Sequence, residues 1–93
     1  MIQNTELLDF FEEQYRNNRG SRRSIRLDDR LYDELGIDSL LASELLIALE
    51  DRYHVQLLHD PRVWKVAKVG ELLDLVRVVD LEQLARTALK TAA

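Results

Sequence analysis

The chain has no cysteine, which excludes disulfides, thiolate metal sites and cysteine nucleophiles. Aromatic residues make up only 6%, so a core built mainly from leucine and valine is expected. No apolar run is long enough to cross a membrane, and Met1 is not followed by a basic segment and an apolar stretch of the signal-peptide kind. These absences predict a cytoplasmic protein that does not associate with membranes. His54 and His59 lack the spacing of ligands on one helical face, so no metal is expected.

At 93 residues, the chain predicts a single small domain. Its net charge of −4 is unevenly spread. Arg16, Arg19, Arg22, Arg23, Arg26 and Arg30 crowd one segment, whereas residues 33–51 are strongly acidic. A basic cluster can mark nucleic-acid binding, but no aromatic residue is interleaved with these arginines. A solvated loop is the better reading, with no nucleic-acid partner.

The stretch 35–53 organises the rest. Gly36 gives a tight turn its freedom, Asp38 is a good N-cap, and Ser39 then falls just inside a helix that runs to about Tyr53. At about 100° per residue, Ala42, Leu45, Ala48, Leu49 and Tyr53 share a core arc, with Leu46 at its edge. Leu40 and Ile47 lie on the opposite side, flanked by Glu44 and Asp51 on one edge and by Ser43 and Glu50 on the other. A second apolar stripe edged by carboxylates predicts a docking surface. A serine at a helix N-terminus also suits a phosphate ester, because unpaired backbone N–H groups and the helix dipole favour an anion there.

The run Leu35-Gly36-Ile37-Asp38-Ser39-Leu40, followed by Glu44-Leu45-Leu46-Ile47-Ala48-Leu49-Glu50-Asp51, resembles the 4'-phosphopantetheine attachment site and second helix of acyl carrier proteins. The resemblance covers roughly residues 27–76. It implies that Ser39, with Asp38 beside it, carries the phosphopantetheine arm, whose terminal thiol holds an acyl group as a thioester. It implies partner contacts at Leu40, Glu44, Ile47, Glu50 and Asp51. The implied partners are a phosphopantetheinyl transferase and acyl-loading, ketosynthase-type and acyltransferase-type enzymes. Leu41 is a departure, standing where fatty-acid carriers often have an acidic residue.

Elsewhere the punctuation is local. Thr5 is expected to cap a first helix carrying Leu7, Leu8, Phe10, Phe11 and Tyr15, and Gly20 to end it. A long connection follows, with a short helical turn at 29–35 and with Ile25, Leu27, Leu31, Tyr32 and Leu35 folding back onto the helices. Residues 54–57 alternate like a strand but have no second strand to pair with, so extended loop is expected. Asp60-Pro61 predicts an N-cap and first helical position for a short helix over 62–66, with Val63 and Trp64 turned towards neighbouring helices. Trp64 reads as a core aromatic, or alternatively as part of the entrance for an attached chain. Gly70-Glu71 opens a helix bearing Leu72, Leu73, Leu75 and Val76. Beyond it, Asp80 and Gln83 resemble a capping box, and Leu81, Leu84, Ala85, Ala88 and Leu89 recur at helical spacing.

The expected fold is all-α, an acyl-carrier-like up-down bundle of three main helices plus one short helix. A C-terminal extension is either a fifth helix or a continuation of the fourth. Residues 1–79 would form the acyl carrier domain and 80–93 the extension. The expected function is a monomeric, discrete acyl carrier protein of specialised polyketide-type biosynthesis, since fatty-acid carriers of primary metabolism are usually shorter and more acidic. It is not an enzyme, because a serine hydrolase needs a sheet, flanking glycines and an oxyanion hole that are not readable here. Two rivals remain. One is an aminoacyl or peptidyl carrier of a nonribosomal pathway, whose members usually show a second glycine before the serine. The other is an unmodified helical interaction module in which Ser39 only helps to cap.

Overall fold

In the computed structural model, which describes residues 2–19 and 24–92, three α-helices and one 3-10 helix enclose an aliphatic core. Helix α1 spans Asn4–Arg19, α2 spans Ser39–Tyr53 and α3 spans Val69–Ala92, with the 3-10 helix Pro61–Lys65 between α2 and α3. The expected all-α bundle is found, and its one short helix is this five-residue 3-10 segment.

On α1, Leu7, Phe11 and Tyr15 repeat every four residues and are all buried. The helix starts before Thr5. The Leu7 N–H donates to the Gln3 carbonyl at 3.0 Å, so Thr5 sits inside the first turn and is not the cap. Gly20, expected as its stop, lies outside the described residues, as do Arg22 and Arg23 of the arginine cluster. The helix packs against both α2 and α3. At the end of α2, Tyr53 is half-buried and edge-on to Phe10, with ring centroids 5.8 Å apart.

The core face of α2 comprises Leu41, Leu45, Leu46 and Leu49. Ala42, Ala48 and Tyr53 are only partly buried. Leu41 was not expected among them, yet it stands one helical turn before Leu45 and so shares its arc. An acidic residue is excluded from that place here by burial.

The long connection after α1 is held by specific ties. The Glu12 carboxylate accepts from the Ile25 N–H at 2.9 Å, and the Tyr15 hydroxyl donates to the Leu35 carbonyl at 2.7 Å. Asp29, the one buried charged residue among those described, accepts from the Arg26 N–H at 2.8 Å. Arg30 and Lys68 form an isolated antiparallel bridge, and Gly70 N–H donates to the Leu27 carbonyl at 2.7 Å. Gly70 is needed for that approach, since a Cβ there would lie 3.1 Å from the same oxygen. Ile25 and Leu35 are buried as expected, but Leu27 is 43% and Tyr32 71% exposed. Residues 31–35 form turns instead of a helix, because the Glu34 and Leu35 N–H groups both converge on the Arg30 carbonyl.

Helix α3 runs for 24 residues, about 36 Å at 1.5 Å per residue. The molecule is correspondingly long, 48 Å against 24 and 21 Å. Its helix passes through Asp80 without interruption, so the extension continues the preceding helix and the Asp80–Gln83 pair is no capping box. Gln83 serves a different purpose. Its amide oxygen accepts from the Gln56 N–H at 2.9 Å and its amide nitrogen donates to the His54 carbonyl at 2.8 Å. Residues 55–57 are extended loop, and no strand forms among the described residues.

Candidate functional site

The site begins at the turn before α2. Gly36 adopts φ 65°, in the left-handed region where a side chain would be strained. The Ile37 N–H donates to the Leu31 carbonyl at 2.9 Å, and the Ile37 side chain is buried. Together these fix the direction in which α2 starts. Asp38 then caps the helix in an extended conformation, its Oδ1 accepting from the Leu41 N–H at 2.9 Å. The carboxylate is thereby tied to the helix end. Ser39 is the first helical residue and is exposed.

Beside Ser39 opens a groove of about 400 Å³. Its floor is apolar and buried, made by Phe11, Leu45, Leu46, Val63 and Leu72 from all three helices and the 3-10 helix. Its rim is exposed and includes Ser39, Tyr32, Arg30 and Trp64. Trp64 is 51% exposed and its indole N–H donates to the Leu58 carbonyl at 3.2 Å. It is not a core aromatic, because Val63 takes the inward position of the 3-10 helix and leaves its neighbour at the mouth. Tyr32 was likewise expected to pack inward. The four-residue spacing of Leu31 and Leu35, both directed into the bundle, was the signal that leaves Tyr32 outside.

Two carboxylates hold the far wall. Glu71 Oε1 accepts from the Ala67 and Lys68 N–H groups at 2.8 and 2.9 Å, fixing the segment that borders the groove. Those amide hydrogen bonds keep its carboxyl below the ordinary range. Asp60 caps the 3-10 helix through the Arg62 N–H at 2.9 Å, and hydrogen bonds from the Arg62 side chain and backbone hold its carboxyl low as well.

The outer side of α2 carries Leu40, 71% exposed, and Ile47, 46% exposed, with Glu44 and Asp51 exposed beside them. Glu50 is different. Its Oε2 accepts from the Leu57 and Leu58 N–H groups at 2.6 and 3.0 Å, so it is half-buried and ties down the loop after α2. Helical spacing alone could not distinguish it from Asp51.

The model of the family described as phosphopantetheine attachment site matches residues 20–76, more than half of the chain. The chain belongs to that family. It is a carrier of the acyl carrier protein kind, a site of covalent 4'-phosphopantetheine attachment, and not an enzyme in its own right. Carrier domains work with a phosphopantetheinyl transferase and acyl-handling enzymes. No curated protein matches the chain in sequence. None of the helices described in this carrier is long and apolar enough to cross a membrane, and no cluster of potential metal ligands occurs among the described residues.

The residues present fit the arm. A phosphodiester on an exposed hydroxyl in the first turn of α2 would meet the positive end of the helix dipole. The groove leading away from that hydroxyl is of the size that small-molecule sites occupy, about 300–1,000 Å³.

Proposed function

We propose that Ser39 is the attachment residue and that the protein is a carrier of acyl intermediates in polyketide-type biosynthesis. The observation that carries this reading is the position of an exposed serine hydroxyl at the first residue of α2, on the rim of an apolar groove. The bound arm supplies a terminal thiol that holds the acyl group as a thioester. Ser39 Oγ is the nucleophile on which the transferase acts, and the N-terminus of α2 stabilises the charge of the resulting diester. Asp38 keeps the helix end formed. The groove floor gives an apolar acyl chain a place out of water, with Tyr32 and Trp64 at its mouth.

The acyl assignment over a peptidyl one is supported by Ile37. Peptidyl carriers usually show a second glycine before the serine. In this chain the residue before Asp38 is a buried isoleucine, 7% exposed, that lines the groove. A glycine there would remove part of the wall.

Leu40, Ile47, Glu44 and Asp51 form the docking face in this reading. Their carboxylates attract basic patches on the transferase and on ketosynthase-type and acyltransferase-type enzymes, giving fast and exchangeable encounters. Tethering raises the local concentration of the intermediate at each enzyme in turn. Glu50 is left out, since it is occupied with the loop. Residues 1–79 act as the carrier unit in the cytoplasm, and the extension from residue 80 has a separate role.

Intact mass after incubation with a phosphopantetheinyl transferase and coenzyme A tests the assignment. The wild-type chain gains the arm, and Ser39→Ala does not while keeping its helical circular dichroism. Gain of the arm by Ser39→Ala would remove Ser39 from the reading. No gain by the wild type would favour the unmodified interaction module.

A further inference from the structure

Helix α3 changes its apolar side part-way along. Among the buried residues from Val69 to Val79, Leu72, Val76 and Val79 follow one line along the core side of the helix. The next residue on that line is Gln83, which clamps the backbone of His54 and Gln56. Its neighbour Glu82 takes Arg62 at 2.7 Å. The second half of the helix is therefore held to the bundle by polar groups. Its apolar residues lie on the other side.

Val78, Leu81, Leu84, Ala85 and Leu89 fall within an arc of about 140° on that outward side, at about 100° per residue. Leu81 is 55%, Leu84 60% and Leu89 73% exposed. At the bundle end of the stripe is an open hollow of about 480 Å³, lined by the apolar Ile2, Val78 and Leu81 and by Asp80 and the paired Asp74 and Arg77. At the other end stands Leu89, the most exposed of the large apolar side chains described. One end of the stripe is concave and the other carries a projecting leucine.

We infer that this face binds a second copy of the chain, as an antiparallel pair of α3 tails. With the two helices crossing near Leu84, Leu89 of each copy comes opposite residues 79–81 of the other, at the hollow. The charges agree with this arrangement. Glu82 and Arg86 share one edge of the stripe, and in an antiparallel pair each edge faces its own copy. Glu82 of one chain then faces Arg86 of the second. The Glu82 side chain remains 44% exposed beside Arg62, so a second guanidinium can reach it. A parallel pair would instead set this edge against Asp80 and Thr87, with no such complementarity.

The covered area sets the strength. The stripe offers on the order of 500 Å² per copy, about 1,000 Å² across the pair, which lies at the weak end of specific interfaces. Association is then reversible, with half-dimerisation between about 10 µM and 1 mM. The attachment serine and the outer face of α2 take no part in the pairing.

Sedimentation velocity over that concentration range tests the pair. Wild-type weight-average mass should rise towards twice the monomer value, while Leu84→Lys with Leu89→Lys should stay monomeric with unchanged helicity. Because the chain has no cysteine, single introduced thiols report the geometry. Leu84→Cys should oxidise to a self-linked dimer, whereas Leu89→Cys should not link to itself but should link to a Leu81→Cys chain. A wild-type chain that remains monomeric at 1 mM overturns the inference. So does efficient self-linking at Leu89→Cys, which means a parallel pair. Monomeric behaviour combined with slower acyl transfer in the lysine variant would assign the face to an enzyme and reject the second copy.

Discussion

Two apolar stripes reach the surface of this carrier, and they differ in what surrounds them. On α2, Leu40 and Ile47 are bordered by Glu44 and Asp51, charges of one sign. On α3, Leu81, Leu84 and Leu89 are bordered by Glu82 and Arg86, charges of both signs on one edge. A single-signed border repels a copy of itself and attracts any basic surface. A mixed border can complement its own copy. Exposed leucine alone says only that a contact is available; the charges around it select the kind of partner.

The largest effect expected comes from a control that both stripes must differ from. Leu49→Ala, on the core side of α2, should cost about 2–5 kcal/mol. Ile47→Ala and Leu84→Ala should each cost well under that, about 1 kcal/mol or less, as expected for partly exposed sites. Denaturant titration compares them. A loss at Ile47 or Leu84 as large as at Leu49 would place that stripe in the core and end the comparison.

Next in size is the charge test. Glu44→Lys combined with Asp51→Lys should slow loading by about tenfold at low salt, with the difference narrowing as ionic strength approaches 1 M. Arg86→Glu, on the other border, should leave loading unchanged. Equal sensitivity of the two borders in stopped-flow association would mean that net charge matters, not its placement.

A smaller effect is expected at Gln83, which fastens the tail. Gln83→Ala removes hydrogen bonds to His54 and Gln56, each worth about 0.5–1.5 kcal/mol net, so a loss of about 1–3 kcal/mol is expected. Truncation after Val79 should cost a comparable amount and leave Ser39 loadable, by melting and intact mass. Complete unfolding on truncation would show that the tail belongs to the core.

The smallest effect is on acid stability. The carboxyl groups of Asp60, Glu71 and Glu82 are held below their ordinary values of 3.8, 4.5 and 4.5 by their hydrogen bonds. A folded value below the unfolded one means that the stabilisation is complete above about pH 4.5 and is lost as pH falls through the lowered values. Trp64, the one tryptophan, follows the 3-10 helix by fluorescence. Asp60→Asn should flatten the acid limb of its transition, and an unchanged limb would assign acid sensitivity elsewhere.

The parts legible in the sequence were those dictated by near neighbours. Gly36, Asp38 and Ser39 announce the start of α2 within four residues, and Asp60-Pro61 announces the 3-10 helix in two. The parts that were not legible depend on distant chain. Glu50 and Asp51 are adjacent carboxylates, and only the loop at residues 57–58 distinguishes the one that turns inward. Trp64 and Tyr32 looked like core because large aromatics usually are, but Val63 and Leu31 had the inward places. The continuity of α3 was left undecided by the resemblance of Asp80 and Gln83 to a cap. Gln83 reaches back 27 and 29 residues to Gln56 and His54, a relation no local pattern carries.

An unbroken helix also fixes a phase. The stripe on the tail points where it does because each residue from Val79 onward adds about 100° of rotation and about 1.5 Å of rise. One alanine inserted after Val79 would swing Leu81, Leu84 and Leu89 by more than a quarter turn and carry Gln83 away from His54. Four inserted residues would return the stripe to within about 40° of its original heading, about 6 Å further out. Composition and helix content barely change along such a series, yet the tail's contacts should come and go with the turn of the screw.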